Sequence, residues 1–172
     1  MKLEENTLKE EIVYRGEFIN ISKLEVKLPD GSKANREVIR HPGGVAILAF
    51  YDRDTLIMVE QYRKAIDRVT LELPAGKIEN KEEILDTAKR ELEEETGYLS
   101  DKLEYLGKIV TAPGFCDEYI HYFKCKDLKS GVKGGDDDEF INVKKIKIDD
   151  IKKMIKSGDI IDGKTIAALM FL

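Results

Sequence analysis

The chain has 172 residues, of which 42% are hydrophobic and 37% are charged, and its mean hydropathy is −0.37. This length suits an ordinary globular domain with a sizeable core, and the apolar share excludes a disordered or fibrous chain. Because 34 acidic residues outnumber 29 Lys and Arg, the net charge is −5, which argues against nucleic acid as a partner.

Membrane and secretory signals are missing from the sequence. The first residues, MKLEENTLKEE, lack the apolar core of a signal peptide. The longest apolar stretches, Val45–Tyr51 and Ile166–Leu172, are too short to cross a bilayer. Cys116 and Cys125 have no metal-binding spacing. We therefore expect a cytoplasmic protein with reduced thiols and no membrane partner.

The residue pattern of the first half of the chain predicts β-strands. A β-meander is expected over the first forty residues, with a turn at Pro29-Asp30-Gly31. The strands predicted up to residue 73 are 14–17, 19–28, 34–40, 45–51, 55–60 and 71–73.

The second half mixes strands with a few helices. A helix is predicted from about Lys81 to Thr96, with Gly97 as its C-terminal cap. Strands follow near 103–111, 119–124 and 140–148, and two short helices are expected at 149–156 and 165–172. The elements do not alternate as βαβ units, so an α+β fold is predicted.

The predicted helix places carboxylates beside its apolar face. The apolar residues that define this face are Ile84, Leu85, Ala88 and Leu92. Glu91 and Glu95 fall within about 20° of Ile84 around the helix axis, whereas Glu93 falls on the opposite, solvent side.

Acids in this position are costly without a cation. Glu91, Glu94 and Glu95 lie at the negative end of the helix dipole and repel one another, and burial of an unpaired carboxylate costs several kcal/mol. Arg90 can pair with Glu94 at i+4. A bound divalent cation would relieve all three, with the carbonyl of Ala75 as a further oxygen ligand.

The segment Gly76–Tyr98 resembles the Nudix box, G-x5-E-x7-R-E-U-x-E-E-x-G-U, in which U is a bulky apolar residue. The fixed positions of the box are matched by Gly76, Glu82, Arg90, Glu91, Glu94, Glu95 and Gly97. The resemblance implies a Nudix-like α/β/α sandwich with a mixed sheet, whose loop–helix–loop binds Mg²⁺ against a pyrophosphate. It implies Ala75, Glu91 and Glu95 as metal ligands for two or three Mg²⁺ ions, which Mn²⁺ can replace, and Glu94 as a catalytic residue.

Further segments resemble one branch of that family, the ADP-ribose (ADP-sugar) pyrophosphatases. They are 36–44 (REVIRHPGG), 60–63 (EQYR), 72–79 (ELPAGKIE) and 162–165 (DGKT). Pro113 also stands sixteen residues after Gly97, the spacing that marks ADP-ribose specificity in the family.

The branch implies substrate contacts and an assembly. Arg36, Arg63 and Glu37 would bind substrate, and Gly114 and Glu118 would lie near its terminal ribose. Residues 1–40 would form an N-terminal antiparallel sheet that is exchanged between the subunits of a homodimer, and 41–172 the catalytic domain. Judged from composition alone, Arg63 and Arg36 are more typical of surface arginines.

The acidic segment 130–139 carries the last implied residue. By composition it is a solvated acidic loop. By resemblance Glu139 is the catalytic base that takes a proton from water, with Asp137 as the reserve.

The sequence thus predicts an Mg²⁺-dependent enzyme that splits a small-molecule nucleotide sugar, ADP-ribose, into AMP and ribose 5-phosphate. The alternatives are a Nudix hydrolase for another nucleotide sugar or dinucleotide, and a non-catalytic ADP-ribose sensor.

Overall fold

The computed structural model describes residues 2–132, 134 and 140–172. The chain divides into two compact units. The first comprises Met1–Gly43 with Val110–Tyr119, and the second comprises Gly44–Ile109 with Ile120–Leu172. Glu139 and Asp137, the predicted base and its reserve, lie outside the described residues.

An antiparallel sheet forms most of the first unit. Its strands, in the spatial order β1-β2-β3, are β1 (Asn6–Arg15), β2 (Asn20–Lys27) and β3 (Lys33–Arg40). Alternate residues of β2, Ser22, Leu24 and Val26, are buried. The predicted N-terminal antiparallel sheet is confirmed. The predicted start of its first strand at residue 14 is wrong, because β1 is exposed along its whole length and lacks apolar alternation.

The second unit contains a mixed sheet of the order β7-β4-β10-β9. Its strands are β4 (Gly44–Ala49), β7 (Ala75–Lys77), β9 (Leu103–Val110) and β10 (Tyr119–Cys125). The inner strand β4 runs parallel to β10 and antiparallel to β7. The short strand β7 therefore pairs with an inner strand of the sheet.

Two smaller sheets complete the second unit. An antiparallel sheet of the order β12-β5-β6 contains β5 (Thr55–Arg63), β6 (Arg68–Glu72) and β12 (Asn142–Lys147). A two-stranded antiparallel sheet pairs β8 (Tyr98–Leu99) with β11 (Lys129–Ser130). The sequence misses β7, β8 and β11, which are each two or three residues long.

Strand β4 separates two apolar clusters because its side chains alternate between the two faces. The helices that supply the rest of these clusters are α1 (Ile84–Thr96), α2 (Ile148–Ser157) and α3 (Gly163–Ala168). On one face, Ala46 and Leu48 pack in a cluster that includes residues of α2 and α3. On the other, Val45 and Ile47 pack in a cluster that includes residues of α1. Helices thus cover both faces of the sheet, which confirms the α+β class and the sandwich with a mixed sheet.

The helix boundaries differ in part from the prediction. Helix α1 begins at Ile84 rather than near Lys81, because Lys81 has φ = 68°, which is incompatible with a right-handed helix. Gly97, at φ = 71°, caps the helix as predicted. Helix α3 begins earlier than predicted, because the Asp162 carboxylate accepts the Thr165 N–H. In the described part of the chain, every helix is too short or too polar to span a bilayer.

Candidate active site

The inner face of α1 carries two buried carboxylates. Glu91 is 9% exposed and Glu95 is 4% exposed, as the helical periodicity predicts. Leu85, predicted on the buried face, is instead 38% exposed. Glu93, predicted in solvent, is partly covered and accepts the Val132 N–H at 3.2 Å.

Arg90 binds three carboxylates at once. Its guanidinium donates to Glu82 at 2.9 and 3.0 Å, to Glu91 at 2.9 Å and to Glu94 at 2.9 Å. The hydrogen bonds from Arg90 lower the pKa of Glu82 to about 2, and those to Glu82 raise the pKa of Arg90. The predicted Arg90–Glu94 pair is confirmed, whereas the pairing with Glu82 is missed because Glu82 lies outside the helix, beyond the i+4 rule.

The loop before α1 lies directly against these carboxylates. A Cβ added to Gly76 would stand 1.9 Å from Oε1 of Glu91, so no other residue fits there without displacing the carboxylate. The N–H of Ala75 donates to Oε2 of Glu95 at 2.9 Å. The structure therefore brings the predicted metal ligands Ala75, Glu91 and Glu95 to one place.

The donor set of this place fits a hard divalent cation. Carboxylate and backbone carbonyl oxygens are the ligands that Mg²⁺ prefers, and the glycine at position 76 lets the loop backbone approach the Glu91 carboxylate closely. Among the described residues, no group of three or more His, Cys, Asp or Glu side chains is arranged to hold a metal. Arg90 donates hydrogen bonds directly to Glu91 and Glu94.

A second charged cluster surrounds Glu72, at the end of β6. Glu72 is 2% exposed and accepts a two-pronged hydrogen bond from Arg63 at 2.8 and 2.7 Å. Thr70 donates to it at 2.5 Å and Lys164 is also hydrogen-bonded to it. Burial opposes ionisation of Glu72, but the two cations and the Thr70 hydroxyl overcome it and lower its pKa to about 2.

Arg63, predicted to bind substrate, is thus fixed by Glu72. The hydrogen bond to Glu72 raises its pKa, and the nearby Glu95 carboxylate contributes to the same shift. The sequence did not single out Glu72 or Lys164 as functional residues, although both lie in segments that carry the resemblance. The signal that points to Glu72 is its place as a polar residue at the buried end of a predicted strand.

The remaining predicted substrate residues lie in the first unit. Arg36 and Glu37 lie on β3, and Arg36 donates to Glu5 at 3.0 and 2.5 Å. Glu118 accepts the Thr111 hydroxyl at 2.7 Å. A Cβ on Gly114 would meet nothing within 4 Å, so space alone does not require glycine there. Within their unit these residues make ordinary surface contacts.

Two family models cover nearly the whole chain. Residues 40–169 match the Nudix domain, and residues 5–39 match the nucleoside diphosphate sugar hydrolase N-terminal domain. A crystal structure of an ADP compounds hydrolase has the same fold, with a TM-score of 0.86 at 21% identity over 99% of this chain and 94% of that one.

Several curated proteins are similar over most of their length. An ADP-ribose pyrophosphatase of Bacillus subtilis is 41% identical over 99% of this chain and 93% of its own. A methanol dehydrogenase activator of Bacillus methanolicus is 42% identical, over 98% and 92% respectively. A GDP-mannose pyrophosphatase of Salmonella typhimurium is 31% identical over 83% of each chain.

Proposed function

This chain belongs to the Nudix family, and we propose that it is an Mg²⁺-dependent pyrophosphohydrolase that cleaves ADP-ribose into AMP and ribose 5-phosphate. The full-length similarity to an ADP-ribose pyrophosphatase supports this substrate. The similarity to the nucleoside diphosphate sugar hydrolase N-terminal domain supports the wider class of nucleotide sugars.

The single observation that carries the proposal is the packing of the loop against α1. The backbone at Gly76 leaves no room for a side chain beside the Glu91 carboxylate, and Ala75 is hydrogen-bonded to Glu95. Carboxylate oxygens that meet a loop backbone at one place are what a site for a hard divalent cation requires.

In this proposal Glu91, Glu95 and the carbonyl of Ala75 hold two or three Mg²⁺ ions, and Mn²⁺ can replace them. Such ions, when bound, lower the pKa of a coordinated water and neutralise charge on phosphoryl oxygens. Glu94 completes the acidic cluster, and Arg90 orients it by binding Glu91 and Glu94. Glu139 takes a proton from water, a role that rests on the motif resemblance.

The substrate contacts in this proposal follow the family resemblance. Arg63 presents a fixed guanidinium whose planar donors match phosphate oxygens. Arg36 contacts the adenosine, Arg36 and Glu37 serve the site of the neighbouring protomer, and Gly114 and Glu118 lie near the terminal ribose. We assign 1–40 to an N-terminal domain exchanged within a homodimer and 41–172 to the catalytic domain. A cytoplasmic location agrees with the two free cysteines.

Product analysis in ¹⁸O-labelled water tests the proposed reaction. ADP-ribose incubated with enzyme and Mg²⁺ should yield AMP and ribose 5-phosphate in equal amounts, with the label in one of the two phosphates. Mass spectrometry of each product identifies which phosphorus is attacked. Intact ADP-ribose after prolonged incubation, with a folded and metal-loaded protein, contradicts the proposal.

A second candidate is the same chemistry on another nucleotide sugar. The similarity to a GDP-mannose pyrophosphatase favours it. The test is a panel of ADP-sugars, GDP-sugars and dinucleotides. Each compound is incubated with the enzyme, phosphatase is added, and the phosphate released gives kcat/KM for that compound. A value for GDP-mannose above that for ADP-ribose favours this candidate.

A third candidate is a regulatory protein that binds ADP-ribose without cleaving it. The similarity to a methanol dehydrogenase activator is the observation that favours it. Isothermal titration with ADP-ribose, with and without Mg²⁺, separates the two roles. Tight binding with the ligand recovered whole from the Mg²⁺ sample supports the regulatory role.

A further inference from the structure

The Glu72 carboxylate is shared between Arg63 and Lys164. Its Oε1 accepts hydrogen bonds from Nε of Arg63 and from the Thr70 hydroxyl. Its Oε2 accepts hydrogen bonds from Nη2 of Arg63 and from Nζ of Lys164. Two cations therefore act on one negative charge, and all of these groups belong to the second unit. Each oxygen of Glu72 has two donors, so the carboxylate is fully occupied.

Lys164 is itself held firmly. Its side chain is 13% exposed, and its Nζ lies 3.1 Å from the Asp162 carboxylate. Its carbonyl accepts the Tyr122 hydroxyl at 2.8 Å. The next residue, Thr165, accepts the Leu73 N–H at 2.8 Å. The segment that carries Lys164 is therefore fixed to the strand end that carries Glu72.

Arg63 keeps one donor group available. Nε and Nη2 are engaged by Glu72, whereas Nη1 has no hydrogen-bond partner among the residues the structure describes. The Arg63 side chain is 41% exposed, against 2% for Glu72. The guanidinium is thus anchored on its buried edge and accessible on the other.

We propose that Lys164 is a positioning residue that shares Glu72 with Arg63 and thereby leaves Arg63 able to bind the diphosphate of the substrate. With Lys164 present, the charges of Arg63 and Lys164 balance those of Glu72 and Asp162, whose carboxylate lies 3.1 Å from Lys164 Nζ. Without Lys164, these groups carry a net charge of −1, and the two carboxylates oppose the binding of a diphosphate beside Arg63. This inference rests on the proposed contact between Arg63 and the substrate.

The first test is Lys164→Met. We expect KM for ADP-ribose to rise about tenfold while kcat stays within about threefold of the wild-type value. The reason is that the lost electrostatic attraction acts on substrate binding and not on the chemical step. The Kd of methylene-bridged ADP-ribose, measured by isothermal titration in Mg²⁺, should rise by the same factor. Lys164→Arg, which keeps the charge, should restore both values.

The decisive variant is Lys164→Met combined with Glu72→Gln. Removing the Glu72 charge restores the balance between Arg63 and Asp162, so KM should return toward the wild-type value although a second group has been lost. A purely structural role for Lys164 predicts the opposite, because the second substitution removes more hydrogen bonds. A double variant with a KM above that of Lys164→Met overturns the inference.

Controls separate folding and net charge from positioning. Lys153→Met removes an equal charge from the surface of α2, where Lys153 pairs with Asp150, and its KM should match wild type. If Lys164→Met does not fold by circular dichroism, Lys164→Gln takes its place with the same expected KM.

Arg63→Ala distinguishes failure of this inference from failure of the proposed contact. A raised KM for Arg63→Ala with an unchanged KM for the Lys164 variant overturns the positioning role alone. An unchanged KM in both removes the Arg63 contact from the proposed function as well.

Discussion

The two charged clusters of the second unit have opposite arrangements. Around Arg90, one cation lies among the three carboxylates of Glu82, Glu91 and Glu94. Around Glu72, one carboxylate lies between two cations, Arg63 and Lys164. The first cluster has an excess of negative charge, whereas the two cations of the second are balanced by Glu72 and by Asp162, which lies beside Lys164.

The comparison shows why net charge says little about what an acidic protein binds. Surplus carboxylates around Arg90 suit a divalent cation. The balanced cluster around Glu72 leaves the Nη1 donors of Arg63 for an anion, since the described residues give Nη1 no hydrogen-bond partner. In the proposed function, a metal ion and a diphosphate would occupy these two places.

The largest effect is expected for Glu95→Gln, which removes a charge from the acidic cluster but keeps an acceptor for Ala75. We expect kcat to fall by about three orders of magnitude, because a metal ligand is lost, while circular dichroism and the melting temperature stay close to wild type. Glu93→Gln, on the same helix but outside the proposed site, is the matched control and should retain near-normal turnover. Near-wild-type rates for Glu95→Gln would refute the metal assignment.

A smaller loss is expected for Gly76→Ala, which tests the contact between loop and helix. The added Cβ would overlap the Glu91 carboxylate at 1.9 Å, so the carboxylate or the loop must move. We expect kcat to fall about a hundredfold because the Glu91 carboxylate must turn away from the loop. The free energy of unfolding should change little, since the clash falls on the far end of a flexible side chain. Gly163→Ala is the control, because a Cβ there meets nothing within 4 Å. Equal activity of the two variants would contradict the proposed role of the contact.

Acid stability tests the charged cluster around Glu72. The pKa of Glu72 lies near 2 in the folded protein, below its ordinary value of 4.5. Its contribution to folding, about 3 kcal/mol, is therefore fully present above pH 4.5 and is lost as the pH falls toward 2.

Urea unfolding between pH 5 and pH 2 measures this contribution. Glu72→Gln should be less stable than wild type at neutral pH and should lose less stability on acidification. Parallel pH profiles for the two proteins would show that Glu72 does not titrate at a depressed pKa.

Much of the acidic cluster could be predicted because it follows local rules. Helical periodicity places Glu91 and Glu95 on the buried face, and the i+4 rule pairs Arg90 with Glu94. Gly97 ends the helix as a left-handed cap. The start of α1 could not be predicted in this way, because the positive φ of Lys81 depends on the path of the loop and not on its residue types.

The cluster around Glu72 could not be predicted because its members come together only in the fold. Glu72 and Lys164 are 92 residues apart in the chain, and no local pattern pairs them. The fold itself was predictable from the strand patterns, apart from strands too short or too exposed to show alternation, such as β7 and β1. The sequence shows which residues are charged, whereas tertiary packing determines which of them form ion pairs.

Manganese binding measured by electron paramagnetic resonance tests the central claim most directly, because it reports on the acidic cluster without any chemistry. Free Mn²⁺ gives a sharp signal that weakens on binding, so titration of the wild-type protein yields a stoichiometry and a Kd. The account predicts binding that is competed by Mg²⁺ and is strongly weakened in both Glu91→Gln and Glu95→Gln. Equal binding by the wild-type protein and both variants would contradict it.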